Sequence, residues 1–284
     1  MIVDAHTHLF DPDARLRPDR VDEREAVFRL MFGHGQARMA EPGEMLREMD
    51  EAGVEAAVVC PFPWFTLERC AANNDYLLEI SRLHPGRLVP LAVTNPRWGR
   101  SALREARRCL EAGARGLGEL HGQPQGFDPG DVELMAPLAK LAMEYGVPLL
   151  IHVNEPVGHP YPGKGPVTPQ AIYPLVRAFP EVRLVLAHWG GGLFFYELMP
   201  EVSRECAQVY YDTSASPYLY RPEIYSLAVR ICGPERILFA TDYPLLPFQR
   251  CLREAASQLK GEAREMVLGG NAAHLFGITK SSGS

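Results

Sequence analysis

Two histidines stand two positions apart near the start of the chain, in the run Val3-Asp-Ala-His-Thr-His8. The apolar residues before them predict a short buried strand, with His6 and His8 at its carboxyl end. Because side chains alternate between the two faces of a strand, these two imidazoles are expected to point the same way. Two adjacent imidazoles supply half of the four-ligand shell of a divalent metal such as zinc. The alternative is a pair of surface histidines near a mobile terminus.

Further histidines and carboxylates follow later apolar segments of the sequence. They are Glu119 and His121, His152 and Asn154, His188, Asp212, and Asp242. Each has an ordinary structural explanation when taken alone, since such a histidine is usually a hydrogen-bonded core residue and such an aspartate caps a helix or turn. A common metal centre explains all of them together.

Short apolar runs alternate with helical stretches along the chain, and eight such pairs can be counted. Continuous apolar runs are typical of parallel strands that are buried on both faces. An open doubly wound sheet has the same alternation, but the eightfold count and the polar residues at strand ends favour a (β/α)8 TIM barrel, an α/β fold. We predict a single barrel domain over residues 1–279, with an inserted segment after the first strand and a disordered tail over residues 280–284.

Composition excludes several classes of protein. The chain has 284 residues and a net charge of −6 with both signs scattered, which argues against nucleic-acid or anionic membrane partners. No apolar run approaches the roughly 20 residues needed to span a bilayer, and Asp4 argues against a signal peptide. Six widely spaced cysteines indicate free thiols in a reducing cytoplasm. We expect a cytoplasmic protein with a small-molecule substrate, and association into a homo-oligomer is left open.

The placement of these residues resembles the amidohydrolase superfamily, and more closely its amidohydrolase-related branch, which includes the aminocarboxymuconate-semialdehyde decarboxylase group. The resemblance extends over nearly the whole chain, to the closing run Leu268-Gly-Gly-Asn-Ala-Ala-His-Leu-Phe276. It implies metal ligands at His6, His8 and His152. It also implies that Asp242 binds the metal and takes a proton from bound water, and that His188 polarises the substrate or assists proton transfer.

The resemblance leaves the number of metal ions open. In binuclear members of the superfamily a carboxylate after strand four bridges two metals, and the strand-six histidine binds the second; Glu119 occupies the bridging position. Decarboxylase-like members keep one metal and lack that bridge. Imidazole and carboxylate ligands suit zinc, while manganese, iron or nickel also match the ligand types. We predict one or two divalent ions, preferably zinc, held by a set of five residues: His6, His8, Glu119, His152 and Asp242.

Two loops are predicted to hold the substrate. One leaves strand five over residues 154–165, and the other leaves strand seven over residues 212–221. Lys164 or Arg221 would anchor a substrate carboxylate. The predicted substrate-binding residues are Asn154, Tyr161, Lys164, Tyr218 and Arg221. His34, in the inserted segment, is a further candidate. The alternative for the first loop is that its glycines and prolines only form turns and that the loop has no role in binding.

These residues predict an enzyme. A divalent metal lowers the pKa of bound water towards about 7, and a neighbouring carboxylate can accept and pass on a proton. Asp242 and His188 are the predicted catalytic residues. Glu119 favours a metal-dependent hydrolase that acts on a small amide, lactone or ester. The alternatives are a metal-dependent non-oxidative decarboxylase or hydratase on the same barrel, and a metal-binding barrel without catalysis, against which the complete residue set argues.

Overall fold

The computed structural model describes residues 1–33, 37–161 and 163–279. His34 and the predicted tail over residues 280–284 lie outside the described residues. Within them, eight short strands alternate with helices. The strands are β1 Val3–His8, β2 Ala56–Cys60, β3 Leu88–Pro90, β4 Leu117–Leu120, β5 Leu149–Ile151, β6 Leu184–Leu186, β7 Val209–Asp212 and β8 Ile237–Leu238.

Neighbouring strands pair in parallel and in chain order, as one sheet of β1 to β3 and another of β4 to β8. Single bridges join the two sheets at both seams. Ala92, just after β3, bridges Leu117 of β4, and Thr7 of β1 bridges Tyr243, which follows β8. At the second seam the His8 backbone N–H also donates to the Tyr243 carbonyl at 2.7 Å. The strands therefore form a circle, and the prediction of a TIM barrel is confirmed.

The helices lie between consecutive strands and after β8. They are α1 Pro12–Leu16, α2 Ala26–Phe32, α3 Pro42–Ala52, α4 Leu67–Leu83, α5 Arg100–Glu111, α6 Gly122–Gln125, α7 Val132–Tyr145, α8 Pro169–Ala178, α9 Pro200–Glu205, α10 Ser216–Leu219, α11 Ile224–Cys232, α12 Phe248–Gln258, α13 Gly261–Glu265 and α14 Asn271–Phe276. Helices α1 and α2 belong to the inserted segment after β1. Among the described residues, none of the helices combines the length and apolar character required to cross a bilayer.

Local sequence explains the bounds of the long helices. The Asp131 side chain accepts a hydrogen bond from the Leu134 backbone N–H at 3.0 Å and so caps the start of α7. Gly146 ends the same helix with a φ of 62°, which glycine adopts without steric strain. The strand that follows is β5, so the caps of α7 help to place the strand that carries His152.

Strand side chains divide between the barrel interior and the layer beneath the helices. The interior cluster contains Val3, Ala5, Ala56, Val58, Cys60, Val89, Leu91, Leu150, Val185, Ala187, Leu238 and Ala240. Leu275 and Phe276 of α14 pack in the same cluster, and Gly269 approaches Met1 closely, so the closing residues cover the amino-terminal end of the barrel. The buried side chains of His6, Glu119, His152 and His188 lie at the opposite, carboxyl end.

Candidate metal centre

His6 and His8 share a face of β1, and their Nε2 atoms are 3.1 Å apart. Each ring is oriented through its other nitrogen. His6 Nδ1 lies 2.9 Å from Asp212 Oδ2, and His8 Nδ1 lies 3.2 Å from the Cys60 carbonyl. Since a carboxylate and a carbonyl only accept hydrogen bonds, Nδ1 carries the hydrogen in both rings. The Nε2 atoms of both rings therefore face the centre, as is usual for metal-binding histidines.

Glu119 lies between two pairs of histidines. Its Oε2 is 3.6 Å from the Nε2 atoms of both His6 and His8. Its Oε1 is 2.8 Å from His152 Nδ1 and 3.8 Å from His188 Nε2. Burial disfavours the charged carboxylate, but the adjacent imidazoles outweigh burial and hold the pKa of Glu119 well below its usual range. The side chain is therefore an anion at neutral pH.

An irregularity in β4 turns Glu119 into the barrel. Regular alternation would put it on the same face as Leu117, which packs outward beneath the helices. The pairing of β4 with β5 instead shifts register between Leu117 and Leu120. Gly118 lies within this shift with a φ of 140°, and a Cβ there would stand 2.4 Å from the Leu150 carbonyl oxygen. Only glycine is accommodated at this position, and the inward direction of Glu119 depends on it.

Asp212 connects two of the histidines. Its Oδ2 accepts from His6, and its Oδ1 accepts from the His188 backbone N–H at 3.0 Å. His188 Nδ1 lies 2.9 Å from the Ser214 hydroxyl and 3.2 Å from the Ser214 carbonyl. Burial and the neighbouring His152 lower the pKa of His188, so its ring is neutral. The sequence placed Asp212 at a strand end but assigned it no role.

Asp242 follows β8 and faces the β1 pair, with its Oδ1 3.3 Å from His8 Nε2. Its backbone N–H donates to the His6 carbonyl at 3.0 Å, and its φ is 65°. Burial opposes ionisation, but the neighbouring histidines, above all His8, lower the pKa of Asp242 to about 2. Asp242 is therefore a second anion at the centre.

The ligand atoms converge in two groups that share Glu119. One group is His6, His8 and Glu119, the other is Glu119, His152 and His188, and within each group the ligand atoms all lie within 4.8 Å of one another. Imidazole nitrogen and carboxylate oxygen are donors that suit zinc and manganese. The residues present therefore fit a divalent metal.

Three predicted substrate-binding residues form a network behind His152. Asn154 is fully buried, and its Nδ2 lies 2.9 Å from His152 Nε2. The Tyr161 hydroxyl donates to Glu155 Oε2 at 3.0 Å, and Lys164 Nζ lies 3.7 Å from the same oxygen. Lys164 also donates to the backbone carbonyl of Val157 at 2.6 Å. Tyr161 and Lys164 are thus engaged within the loop that follows β5.

The two predicted residues of the other loop lie at the surface. Tyr218 is 51% exposed, and the Arg250 guanidinium lies 5.2 Å from its ring centre. Arg221 is exposed, and within the described part of the chain no hydrogen bond or ion pair links it to the metal-ligand cluster. Tyr220 is the more buried tyrosine, and burial together with Glu155 raises the pKa of its hydroxyl to about 12. Tyr220 belongs to the same predicted substrate loop but is not among the predicted substrate-binding residues.

His121 is a further residue of the centre that carried no predicted role. Its ring stacks on His152, with 3.6 Å between ring centres and 12° between ring planes. Burial, reinforced by the adjacent His152, lowers the pKa of His121 well below its usual range. The available signal was its position two residues after Glu119, at the same spacing as the β1 pair.

The family model described as amidohydrolase matches residues 3–278. The chain belongs to the amidohydrolase family. The suspected relationship is therefore confirmed over almost the whole sequence. No curated protein sequence is significantly similar to this family member.

Several solved structures are similar to this amidohydrolase-family barrel. The 5-carboxyvanillate decarboxylase from Sphingomonas paucimobilis has a TM-score of 0.79 and 19% identity, covering 98% of this chain and 99% of that chain. The 2,6-dihydroxybenzoate decarboxylase from Rhizobium has a TM-score of 0.72 and 18% identity, covering 98% of both chains. A dihydroxybenzoic acid decarboxylase from Polaromonas, with bound manganese and the inhibitor 2-nitroresorcinol, has a TM-score of 0.72 and 17% identity, covering 99% of this chain and 98% of that chain.

The prediction of a hydrolase was wrong, because the similar structures whose names state a reaction are mostly decarboxylases. These structures support the alternative, a lyase, better than the hydrolase. The hydrolase prediction depended on an inward-facing Glu119. Glu119 does face inward, so its direction does not separate the two reactions.

Proposed function

We propose that this protein is a metal-dependent non-oxidative decarboxylase that acts on small carboxylic acids, with hydroxylated aromatic acids as the substrate class. The observation that carries the metal dependence is the buried Glu119 carboxylate with imidazoles at both of its oxygens, whereas this carboxylate does not choose between hydrolysis and decarboxylation. The similarity of the whole barrel to decarboxylases of such acids supports the choice of reaction. We further propose that the chain works in the cytoplasm as one domain.

The residues that would hold the metal are the predicted set, His6, His8, Glu119, His152 and Asp242. A bound divalent ion would supply positive charge that binds substrate oxygens and stabilises negative charge developing on them. The donor types favour zinc, and manganese is the alternative, because a similar decarboxylase binds it. The two ligand groups that share Glu119 raise the question of a second ion, which metal analysis of the purified protein answers.

The protein's own residues account for the movement of the proton. Decarboxylation breaks the bond between a carbon and its carboxylate, leaves the electron pair on that carbon and adds a proton there. Asp242, with its pKa of about 2, is ionised and can accept a proton from a substrate hydroxyl and return it to the carbon. His188 is neutral and can hydrogen-bond an acidic substrate group. These two side chains are our proposed catalytic residues.

Substrate binding by Asn154, Tyr161, Lys164, Tyr218 and Arg221 stays a proposal. Lys164 is the cationic residue of the network behind His152, and its ammonium group already lies 3.7 Å from Glu155 Oε2. A substrate carboxylate would compete with Glu155 for Lys164. Arg221, at the exposed end of the other loop, has no such competitor among the described residues.

The test is product analysis with the metal-loaded protein. Zinc-loaded and manganese-loaded samples are incubated in D2O with 2,6-dihydroxybenzoate and with 5-carboxyvanillate, and carbon dioxide and the aromatic product are measured. We expect carbon dioxide and one deuterium on the carbon that lost the carboxylate. Chelator-treated protein and the variant Asp242→Asn are the controls. Equal rates with and without chelator contradict metal dependence, and metal-loaded protein that releases no carbon dioxide contradicts this substrate class.

A further inference from the structure

Glu155, in the loop after β5, is a largely buried carboxylate outside the metal centre, with 11% of its side chain exposed. Its Oε2 accepts a hydrogen bond from the Tyr161 hydroxyl at 3.0 Å. Its Oε1 is enclosed and has no hydrogen-bond partner among the residues that the structure describes. Because a buried polar atom without a partner costs free energy, this oxygen favours a ligand that brings a hydrogen-bond donor to it.

Lys164 balances the charge of Glu155 only in part. Its ammonium group lies 3.7 Å from Glu155 Oε2, beyond the roughly 2.7–2.9 Å of a charge-assisted hydrogen bond. The same group donates to the backbone carbonyls of Val157 at 2.6 Å and of His159 at 3.3 Å, so the loop itself holds the ammonium group. Glu155 therefore remains an acceptor, and a carboxylate that approaches Lys164 must compete with it.

A line of contacts joins Glu155 to the metal centre. The Tyr161 hydroxyl, which donates to Glu155, lies 3.2 Å from Asn154 Nδ2. The same Asn154 nitrogen lies 2.9 Å from Nε2 of His152. Asn154 has no exposed surface, and its Oδ1 accepts from the Gly165 backbone N–H at 2.7 Å, which ties the far end of the loop to it. Two side chains, Asn154 and Tyr161, therefore separate the Glu155 carboxylate from the His152 ring.

The other predicted substrate loop approaches the same carboxylate. Tyr220 lies on the loop after β7, and burial together with the charge of Glu155 raises the pKa of its hydroxyl to about 12. This hydroxyl also lies 3.5 Å from the position that a Cβ on Gly192 would take, so it is close to the segment after β6. Glu155 is therefore placed between the two loops that were predicted to hold the substrate.

We propose that Glu155 is a specificity-determining residue that selects what the substrate carries at the end of its ring opposite the metal. With the reacting carboxylate at the metal, the ring extends along the line of contacts, and Glu155 Oε1 accepts from an amino or hydroxyl group at that far end. A second carboxylate there would meet a like charge and is disfavoured. The preferred substrates are thus monocarboxylic aromatic acids with a far-end donor. This inference rests on the proposed function for its substrate class and deepens it.

Three nitrophenols test the inference by binding, without turnover. The probes are 2-nitrophenol, 4-amino-2-nitrophenol and 4-hydroxy-3-nitrobenzoate, which share the nitro and hydroxyl groups and differ only para to the hydroxyl. The nitro group stands in for the reacting carboxylate. Zinc-loaded protein is titrated with each probe, and nitrophenol absorbance or calorimetry measures the affinity. In wild type we expect the amino probe to bind about 5- to 10-fold more tightly than 2-nitrophenol, and the carboxylate probe about 10-fold more weakly.

The variant Glu155→Gln keeps the shape of the side chain and removes its charge, which also frees Lys164 for a carboxylate. We expect the carboxylate probe to bind at least 10-fold more tightly to this variant than to wild type. The advantage of the amino probe should fall to about 2-fold, while 2-nitrophenol itself binds as in wild type. Glu254→Gln is the matched control, because Glu254 also has a buried oxygen without a partner among the described residues but lies on α12. Its three affinities should equal those of wild type.

The ranking of the probes by the wild-type protein tests the inference even where a variant does not fold. The inference is wrong if wild type binds the carboxylate probe as tightly as the amino probe, or if it binds none of the three. It is also wrong if Glu155→Gln weakens all three probes equally, which would limit Glu155 to holding the loop. If wild type ranks the probes as expected but releases no carbon dioxide from any aromatic acid, the inference stands and the proposed reaction is contradicted.

Discussion

Strands β1 and β4 each end with two polar residues at positions i and i+2, but the side chains of the two pairs are placed differently. On β1 the residues at positions i and i+2, His6 and His8, bring their Nε2 atoms to 3.1 Å from one another. On β4 the equivalent residues are Glu119 and His121. Glu119 enters the ligand cluster, whereas His121 stacks flat on His152 and is absent from both ligand groups of the described residues.

The difference shows that spacing alone does not assign a ligand. Both strands place two polar side chains at the carboxyl end of the barrel, and in both the strand register shifts nearby, between Asp4 and Thr7 in β1 and between Leu117 and Leu120 in β4. In β4 the direction of Glu119 depends on the register shift around Gly118. The role of each side chain then depends on its hydrogen-bond partner from another strand, such as Asp212 for His6.

The largest expected effect is the loss of metal from β1. Each of the variants His6→Ala and His8→Ala lacks an imidazole whose Nε2 faces the centre. The metal content of either variant should therefore fall to background. Elemental analysis of variant and wild-type protein purified in parallel measures the metal content. We expect circular dichroism to show a folded barrel in both variants, because the ligands lie on the catalytic rim and not in the core. If both variants retain all of their metal, β1 supplies no ligand to the centre, and the contrast drawn between β1 and β4 is wrong.

The next effect comes from the irregularity of β4. In Gly118→Ala the new Cβ would stand 2.4 Å from the Leu150 carbonyl oxygen at a φ of 140°. Strain and overlap together should lower the free energy of unfolding by about 3 kcal/mol or more. Metal affinity should also fall, because Glu119 would be displaced. Urea unfolding of the metal-free protein and zinc competition measure the two effects.

Gly113→Ala is the matched control for Gly118→Ala. Gly113 also has a positive φ, 113°, but nothing lies within 4 Å of the position of its Cβ. This variant should show only the backbone strain, about 1–2 kcal/mol, with wild-type metal affinity. If the two alanine variants unfold at the same urea concentration and bind zinc equally, the close packing at Gly118 does not hold Glu119 in place.

The smallest expected effect lies in the loops. The variant Lys164→Met lacks the ammonium group that contacts Glu155 and the Val157 carbonyl. We expect KM for an accepted carboxylic acid to rise about 10-fold, without loss of metal. Arg221→Met provides the comparison from the opposite loop. A rise of KM in Arg221→Met alone would assign carboxylate binding to the loop after β7, and no change in either variant would place both loops outside the substrate site.

The sequence by itself determined the barrel and the family, whereas its prediction of a hydrolase was wrong. Eight apolar runs with polar residues at their carboxyl ends are sufficient for the fold, because buried parallel strands require such runs and the strands meet at one rim. The His-x-His spacing likewise predicts the shared direction of His6 and His8, since alternation is a local property of a strand. The substrate-binding role of the loop residues stays a prediction; Tyr218 is exposed, and Tyr220 of the same loop is more buried.

Only the tertiary structure decided how the polar residues divide their roles. The direction of Glu119 depends on the pairing of Gly118 against β5, which no pattern within β4 reveals. The His152 ring contacts the Asn154 amide, and that amide contacts Gly165 and Tyr161, which lie farther along the chain. Such contacts are made by donors and acceptors that are distant in sequence, and a ring nitrogen becomes a ligand or a donor according to the partner that folding brings to it.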